Sequence, residues 1–275
     1  MSKSANSLFH YTKSIDNLIG IIENGFEHRP VREDLSIRGF TESPFSIPGV
    51  IRYLFVWHMV CFCDIPLRSV RDHIEQYGSY GIGLDKEWGM INGITPVRYI
   101  HYYTPDIHDG SFMLSLTLLS HLHQYNNSLT FIVADMLKHN GGIDSFEIED
   151  FEALPEKAQK IIAQLDVEMR EIIKHIHNSG GFLKSYRGPW KDRVTGEDTE
   201  RVFYDEREWR SLKTDPNKNN LQFKLSDIKW IFVKNSEERE LLLKHIMAKS
   251  DNLKVENEND ARHKISLIDE LLDIV

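Results

Sequence analysis

Three short segments carry side chains whose types and spacing could do chemistry. The first is Leu8-Phe9-His10-Tyr11-Thr12, just ahead of a helix start. In a strand His10 and Thr12, at i and i+2, face one side and can hydrogen-bond a single ligand such as a ribose. They can equally cap the helix or satisfy backbone groups. The second is Cys61-Phe62-Cys63-Asp64-Ile65-Pro66, followed by His73, Tyr77, Gly78, Tyr80, Gly81 and Gly83. Gly81 and Gly83 let something approach the backbone closely, and Tyr77 and Tyr80 offer flat stacking surfaces with polar tips. Ordinary turn glycines and core aromatics would look the same. The third is Phe203-Tyr204-Asp205-Glu206-Arg207-Glu208-Trp209-Arg210. As a strand it places Glu206, Glu208 and Arg210 on one face, where two carboxylates are costly unless exposed, paired or used. Glu208 with Arg210 can also be a structural ion pair.

Between the second and third segments, Lys184 to Arg193 interleaves basic and aromatic residues, among them Lys184, Tyr186, Arg187, Trp190 and Lys191. Such a stretch can grip phosphates and stack bases, or form a solvated hairpin turn. Two His-x-His pairs, His121/His123 and His175/His177, sit in helical patterns where i and i+2 do not share a face, so no metal site is expected from them. Cys61 and Cys63 are too close for an unstrained disulfide and lack further ligands at zinc spacing, which leaves two reduced core thiols.

The elements that must position these groups follow from pattern and punctuation. Ser7–Tyr11 reads as a strand and Ser14–Asn24 as a helix capped by Ser14 and stopped by Gly25. Phe26–Val50 has no period and reads as a loop or lid. Trp57–Cys63 is a buried strand, Leu67–Tyr77 a helix, Tyr80–Leu84 a strand, Asp85–Met90 a helical turn and Val97–Tyr102 a strand. Asp109–His139 has helical character. Pro155–Asn178 carries an apolar stripe of Ile161, Leu165, Met169, Ile172 and Ile176, a helix ended by Gly180-Gly181. Phe182–Tyr186 and Glu200–Tyr204 read as strands, the second continuing through Glu206–Leu212. Ile228–Val233 is a core strand and Ser236–Met247 a helix. Val255–His263 reads as a polar linker and Ile265–Val275 as an amphipathic helix that either folds back on its own core or docks on a partner. Interleaved elements without βαβ spacing favour an α+β fold: a mixed, mainly antiparallel sheet with flanking and inserted helices. One domain over residues 1–250, a helical insertion at about 109–178 and a tail over 251–275 are expected.

The chain has 275 residues, 41% of them hydrophobic, enough for a packed core. A formal net charge of −9 argues against a module held on nucleic acid by bulk charge, although a local basic groove remains compatible. No apolar run approaches the ~18 residues of a membrane span, and Met1–Ser7 is polar, so a cytoplasmic protein is expected.

Taken together, His10-Tyr11-Thr12, then Phe62-Cys63-Asp64-Ile65-Pro66-Leu67, then Tyr77-Gly78-Ser79-Tyr80-Gly81-Ile82-Gly83-Leu84, Lys86-Glu87-Trp88-Gly89 and Pro96-Val97-Arg98-Tyr99 resemble the AbiGi family of abortive-infection phage-resistance proteins. The resemblance covers residues 7–105 and the later block Glu206–Arg210, and members are labelled antitoxins. The order His, Tyr, Glu also resembles the ADP-ribosyltransferase fold. That second resemblance implies an NAD-dependent transferase with no metal. His10, Tyr11 and Thr12 would hold a ribose of NAD, Tyr77 or Tyr80 would stack on nicotinamide, and Glu208, with Glu206 in a paired-Glu pattern, would steady the oxocarbenium ion. Lys184, Tyr186, Arg187, Trp190 and Lys191 would contact a nucleic acid or protein acceptor. The alternative is a non-catalytic, antitoxin-like protein that neutralises a toxin by contact.

Overall fold

The computed structural model describes residues 6–33, 56–100, 155–214, 217 and 220–270. The chain divides into two compact units, one of Met1–Tyr102 with Phe182–Val275, the other of Tyr103–Gly181. Of the second unit the described part is the helix Glu156–Gly180, on which Val167 and Ile172 are exposed. The expected helical segment Asp109–His139, and with it His121 and His123, lies outside the described residues.

The first unit is built on an eight-stranded sheet. Its strands are β1 (Ser7–Thr12), β2 (Arg29–Arg32), β3 (Val56–Cys63), β4 (Tyr80–Asp85), β5 (Thr95–Pro96), β10 (Glu208–Leu212), β11 (Ile228–Val233) and β12 (Ile265–Leu267). The order is β12-β11-β4-β1-β3-β10-β5, with β2 paired to β3. Every pairing is antiparallel except β11 with β12. This is the α+β, mainly antiparallel architecture expected from the interleaved pattern. Two small ladders stand beside the sheet: β6 (Arg98–Ile100) runs parallel to β7 (Leu183–Ser185), and β8 (Arg187–Lys191) forms a hairpin with β9 (Asp198–Val202).

Strand alternation divides the sheet chemically. One face buries Leu8, Val60, Phe62, Ile82, Leu84 and Ile231 against helix α1 (Ile15–Asn24) and the helix Ser236–Ala248. Ser14 caps α1 by accepting the Asn17 N–H, and Gly25, at φ 75°, ends it. The other face buries Phe9, Tyr11, Cys63 and Phe232 against Val70, Ile74 and Ile268. There the rings of Phe9, Tyr11, Phe232 and Trp230 form a stacked series with centroids 5.9–6.5 Å apart. The backbone that these rings approach is Gly81 and Gly83, opposite Tyr11 and Phe9 in the register. The two glycines thus accommodate the protein's own aromatics. Gly78, at φ 115°, lies against the Thr12 carbonyl.

The C-terminal reading is corrected. Val255–His263 is no linker: Glu258–Lys264 is a helix, capped by the Asn257 side chain on the Asp260 N–H. Its inward anchor is Ala261, too small to register as an apolar stripe, and Arg262 pairs with Glu240 and Glu258. Ile265–Leu267, expected to open an amphipathic helix, is instead β12, and Ile265 and Ile268 are core residues. Of the two expected outcomes, residues 265–268 follow the one in which the tail folds back on its own core; residues 271–275 lie outside the described set. The expected loop or lid contains β2, and residues 34–50 are likewise not described. No described helix is long and apolar enough to cross a membrane.

A Cβ at position 83 would collide with the Phe9 ring. Gly83→Ala is expected to lower stability by about 1–3 kcal/mol through overpacking, read as a lower urea midpoint with an unchanged m-value.

Candidate functional site

Glu208 and Arg210 open β10 on the same face as Cys63 and Cys61, which lie directly opposite them in the register. Glu206 does not reach this face by strand alternation. Phe203–Glu206 is a 3-10 turn, and Arg207, at φ 43°, is left-handed. This corrects the expected continuous strand. The backbone bond from Asp64 N–H to the Arg207 carbonyl, 3.0 Å, ties the kink to the end of β3. A non-glycine residue in that region carries strain of about 1–3 kcal/mol, and the kink brings both carboxylates to one cation.

That cation is Lys184 on β7. Its Nζ donates to Glu206 Oε2 at 2.7 Å and to Glu208 Oε2 at 2.5 Å. Arg210 donates from Nε to Glu208 Oε1 at 2.7 Å and from Nη2 to Glu33 Oε1 at 2.6 Å. Glu206 Oε1 takes the Tyr77 hydroxyl at 2.5 Å and pairs with Arg201 Nε at 3.1 Å. The Glu208 N–H donates to the Tyr99 hydroxyl at 2.8 Å. Arg210 is fully buried, and the Glu206 and Glu208 side chains are 5% and 7% exposed.

The electrostatics follow from burial opposed by neighbouring charge. Burial would push the Glu208 carboxyl up, but Lys184 and Arg210 hold it well below the usual carboxylate range. Burial would lower Lys184, yet the carboxylates of Glu208, Glu206 and Glu33 hold it well above its usual value. Burial, reinforced by Glu206, raises the Tyr77 hydroxyl. Burial also raises both thiols, with the Glu208 charge adding at Cys61, so neither is a nucleophile at neutral pH. At the edge of the network His73 stacks on Tyr77 at 4.3 Å and meets Tyr11 edge-on at 5.4 Å. His73 Nδ1 and the Tyr11 hydroxyl are buried without a hydrogen-bond partner among the described residues.

His10 is not part of this network. Its ring packs on Phe26 and Phe62 in the α1-side core, and Nδ1 lies 2.8 Å from the Cys61 carbonyl oxygen. Thr12 and Tyr80 are register partners on that same side, and the Tyr80 hydroxyl donates to Glu238 at 2.7 Å. The expected convergence of His10 and Thr12 with Glu208 is therefore corrected: alternation along β1 and β10 sends them to opposite faces of one sheet. Tyr11 and Tyr77 do share the Glu208 face.

The expected acceptor residues separate. Lys184 is consumed by Glu206 and Glu208. Tyr186 stacks on Tyr204 at 5.5 Å, and Arg187 pairs with Glu200 at 3.6 Å. Trp190 donates from Nε1 to Gln76 at 3.4 Å, and Lys191 is exposed. An open cleft of about 580 Å³ lies elsewhere, lined by Asp85, Glu87, Trp88, Ile91, Phe223 and Lys224 among others, and none of the expected site residues touches it.

Sequence reasoning missed Lys184 as the partner of both carboxylates, and also Glu33, Tyr99 and Arg201. The visible signal was the alternating Glu-x-Glu-x-Arg, which requires inward counter-charges when its strand is buried.

The family model described as "Putative abortive phage resistance protein AbiGi, antitoxin" matches residues 55–240. The chain belongs to the AbiGi family. Its similarity extends to an "Abortive phage resistance protein AbiGi" from Lactococcus lactis subsp. cremoris, 25% identical over 232 residues, which is 72% of this chain and 79% of that protein. No solved structure matches significantly. The AbiGi match takes in Tyr77, Lys184, Glu206, Glu208 and Arg210; His10 and Glu33 fall before it.

Two outcomes follow. Glu208→Gln leaves Lys184 and Arg210 undercompensated and is expected to cost about 3–5 kcal/mol, read by denaturant titration. Because its folded pKa is depressed, Glu208 contributes stability above its unfolded pKa, and that contribution is lost as pH falls below about 5. His73, whose pKa burial lowers to about 4, stays neutral in the folded state while the unfolded chain takes up a proton. Stability should therefore fall as pH drops from about 6.5 towards 4, and His73→Phe should make that slope shallower by up to about 1.4 kcal/mol per pH unit.

Proposed function

We propose that the chain acts in anti-phage defence, in the cytoplasm, as an antitoxin-type binding protein that neutralises a partner by contact. The observation that carries this reading is the internal commitment of Glu206 and Glu208. A carboxylate that steadies an oxocarbenium ion must present an oxygen to the sugar as charge develops. Both Glu208 oxygens are held by Lys184 and Arg210, and Glu206 is held by Lys184, Arg201 and Tyr77. His10, the residue expected to fix the ribose, belongs to the opposite core. These residues do not fit NAD as a site in this conformation. The description of the AbiGi family as an antitoxin and the name of the lactococcal relative support the defence setting.

One observation favours the second reading, an NAD-dependent ADP-ribosyltransferase acting on nucleic acid or protein: Tyr77, Glu206 and Glu208 meet at one strand end. That reading requires Lys184 to release Glu208 when NAD arrives.

Co-expression of the chain with its toxin partner is expected to relieve that toxin's effect, and the two should co-purify. Incubation of the purified chain with labelled NAD and separate nucleic acid and protein pools should transfer no label. Label transfer would overturn the binding reading in favour of the transferase.

A further inference from the structure

The β8–β9 turn is built onto the helix Arg71–Tyr77 through Gln76, a buried side chain. Gln76 donates to Asp192 Oδ2 at 2.8 Å and accepts from the Arg193 N–H at 3.0 Å and from Trp190 Nε1 at 3.4 Å. Asp192 Oδ1 accepts the Val194 and Thr195 N–H groups, each at 2.8 Å. The backbone on both sides of Arg193 is therefore held in place.

The Arg193 side chain is held as well. Its guanidinium carbon lies 4.7 Å from the Tyr77 ring centroid and 4.9 Å from that of Trp190. Arg201 lies over the same two rings, at 5.7 and 5.1 Å, and is neutralised by Glu206. Arg193 is different. It is exposed, and among the described residues it has no carboxylate at ion-pairing distance. Two arginines thus share one aromatic shelf, one paired internally and one with its N–H donors unspent. A planar guanidinium already stacked on aromatics loses little freedom when it binds a planar anion. Arginine, tryptophan and tyrosine are also the side chains that concentrate binding energy at protein interfaces.

We propose that Arg193 is a recognition residue that takes a carboxylate side chain offered by a protein partner. The inference rests on the partner-binding function above and names the surface that performs it. A carboxylate on a protein fits better than a phosphate chain. The hairpin carries Asp192, Glu197, Asp198 and Glu200 around Arg193, and the whole chain has a formal charge of −9, so a polyanion meets repulsion along its length. A single Asp or Glu meets far less of it, because only one charge has to be brought up. Val194, 64% exposed next to Arg193, supplies an apolar contact that a protein side chain can cover.

The test uses the full-length chain in calorimetric titrations. The probes are the partner protein that co-purifies with the chain and, separately, a 15-residue oligothymidylate at low salt. The expected result is that the protein binds, the oligonucleotide does not, and Arg193→Ala raises the dissociation constant for the protein at least tenfold. Arg193→Lys should recover only part of the loss, because a point charge cannot form the two-pronged contact. Melting temperatures within a few degrees of the parent should show that both variants fold. If the parent binds the protein and Arg193→Ala binds it equally, this surface is wrong and the binding function stands. If the parent does not bind the protein, both fail. Arg193-dependent binding of the oligonucleotide would overturn the proposal in favour of a nucleic acid partner.

Discussion

A single ammonium group, Lys184 Nζ, lies between the carboxylates of Glu206 and Glu208 in surroundings that exclude most water. Two buried carboxylates on one side of a sheet repel each other and lose their hydration, a penalty of several kcal/mol per ion unless geometry and hydrogen bonds offset it. Lys184 and Arg210 provide the offset, and Tyr77, Arg201 and Glu33 complete it. The cluster joins β7, β9, the turn and strand that carry Glu206, Glu208 and Arg210, the helix ending at Tyr77 and the residue after β2. Its net worth against an apolar core need not be large. Its asymmetry is what matters, because loss of any one member leaves the others charged and dry.

The same cluster also engages the small β6–β7 ladder of the first unit. The chain leaves along β6 and returns along β7, and these strands run in parallel as a small ladder. Tyr99 on the outgoing strand receives the Glu208 N–H, and Lys184 on the returning strand pairs with its side chain. Both strands of this ladder are thus held by one residue of β10. The β8–β9 hairpin is then held against the neighbouring helix by Gln76 and by the aromatic shelf of Tyr77 and Trp190.

This arrangement bears on function through what is spent and what is left over. Charges placed for catalysis are usually held short of full compensation, so that they respond to a transition state. Here the carboxylates are compensated from within. On the hairpin, Arg193 and Lys191 are exposed and have no carboxylate at ion-pairing distance among the described residues. A rigid turn that presents such a donor supports the binding reading proposed above, and the AbiGi family model carries an antitoxin description.

Local pattern determined much of the fold. The Ser14 cap and Gly25 stop of α1, the apolar runs of β3, β4 and β11, and the same-face placement of Cys61 and Cys63 depend on neighbours within a few residues, which a linear reading contains. The glycines at 81 and 83 were legible as points of close approach, although only the cross-strand register reveals that Phe9 and Tyr11 are what approach. The tail was misread because its helix buries one alanine and its strand is three residues long, too little for either periodicity to register. The site was legible in residue type and not in assembly. Alternation says that His10 points opposite to Tyr11, but which face of the sheet receives Glu208 depends on the pairing of β10 with β3, a contact between residues more than a hundred positions apart. The left-handed turn at Arg207, which delivers Glu206 to Lys184, is stabilised by the Asp64 backbone and has no local signature. Residue chemistry and short-range geometry are properties of the sequence alone. Which charges meet, and whether they are free to act, was decided by long-range strand order and by the burial that it imposes.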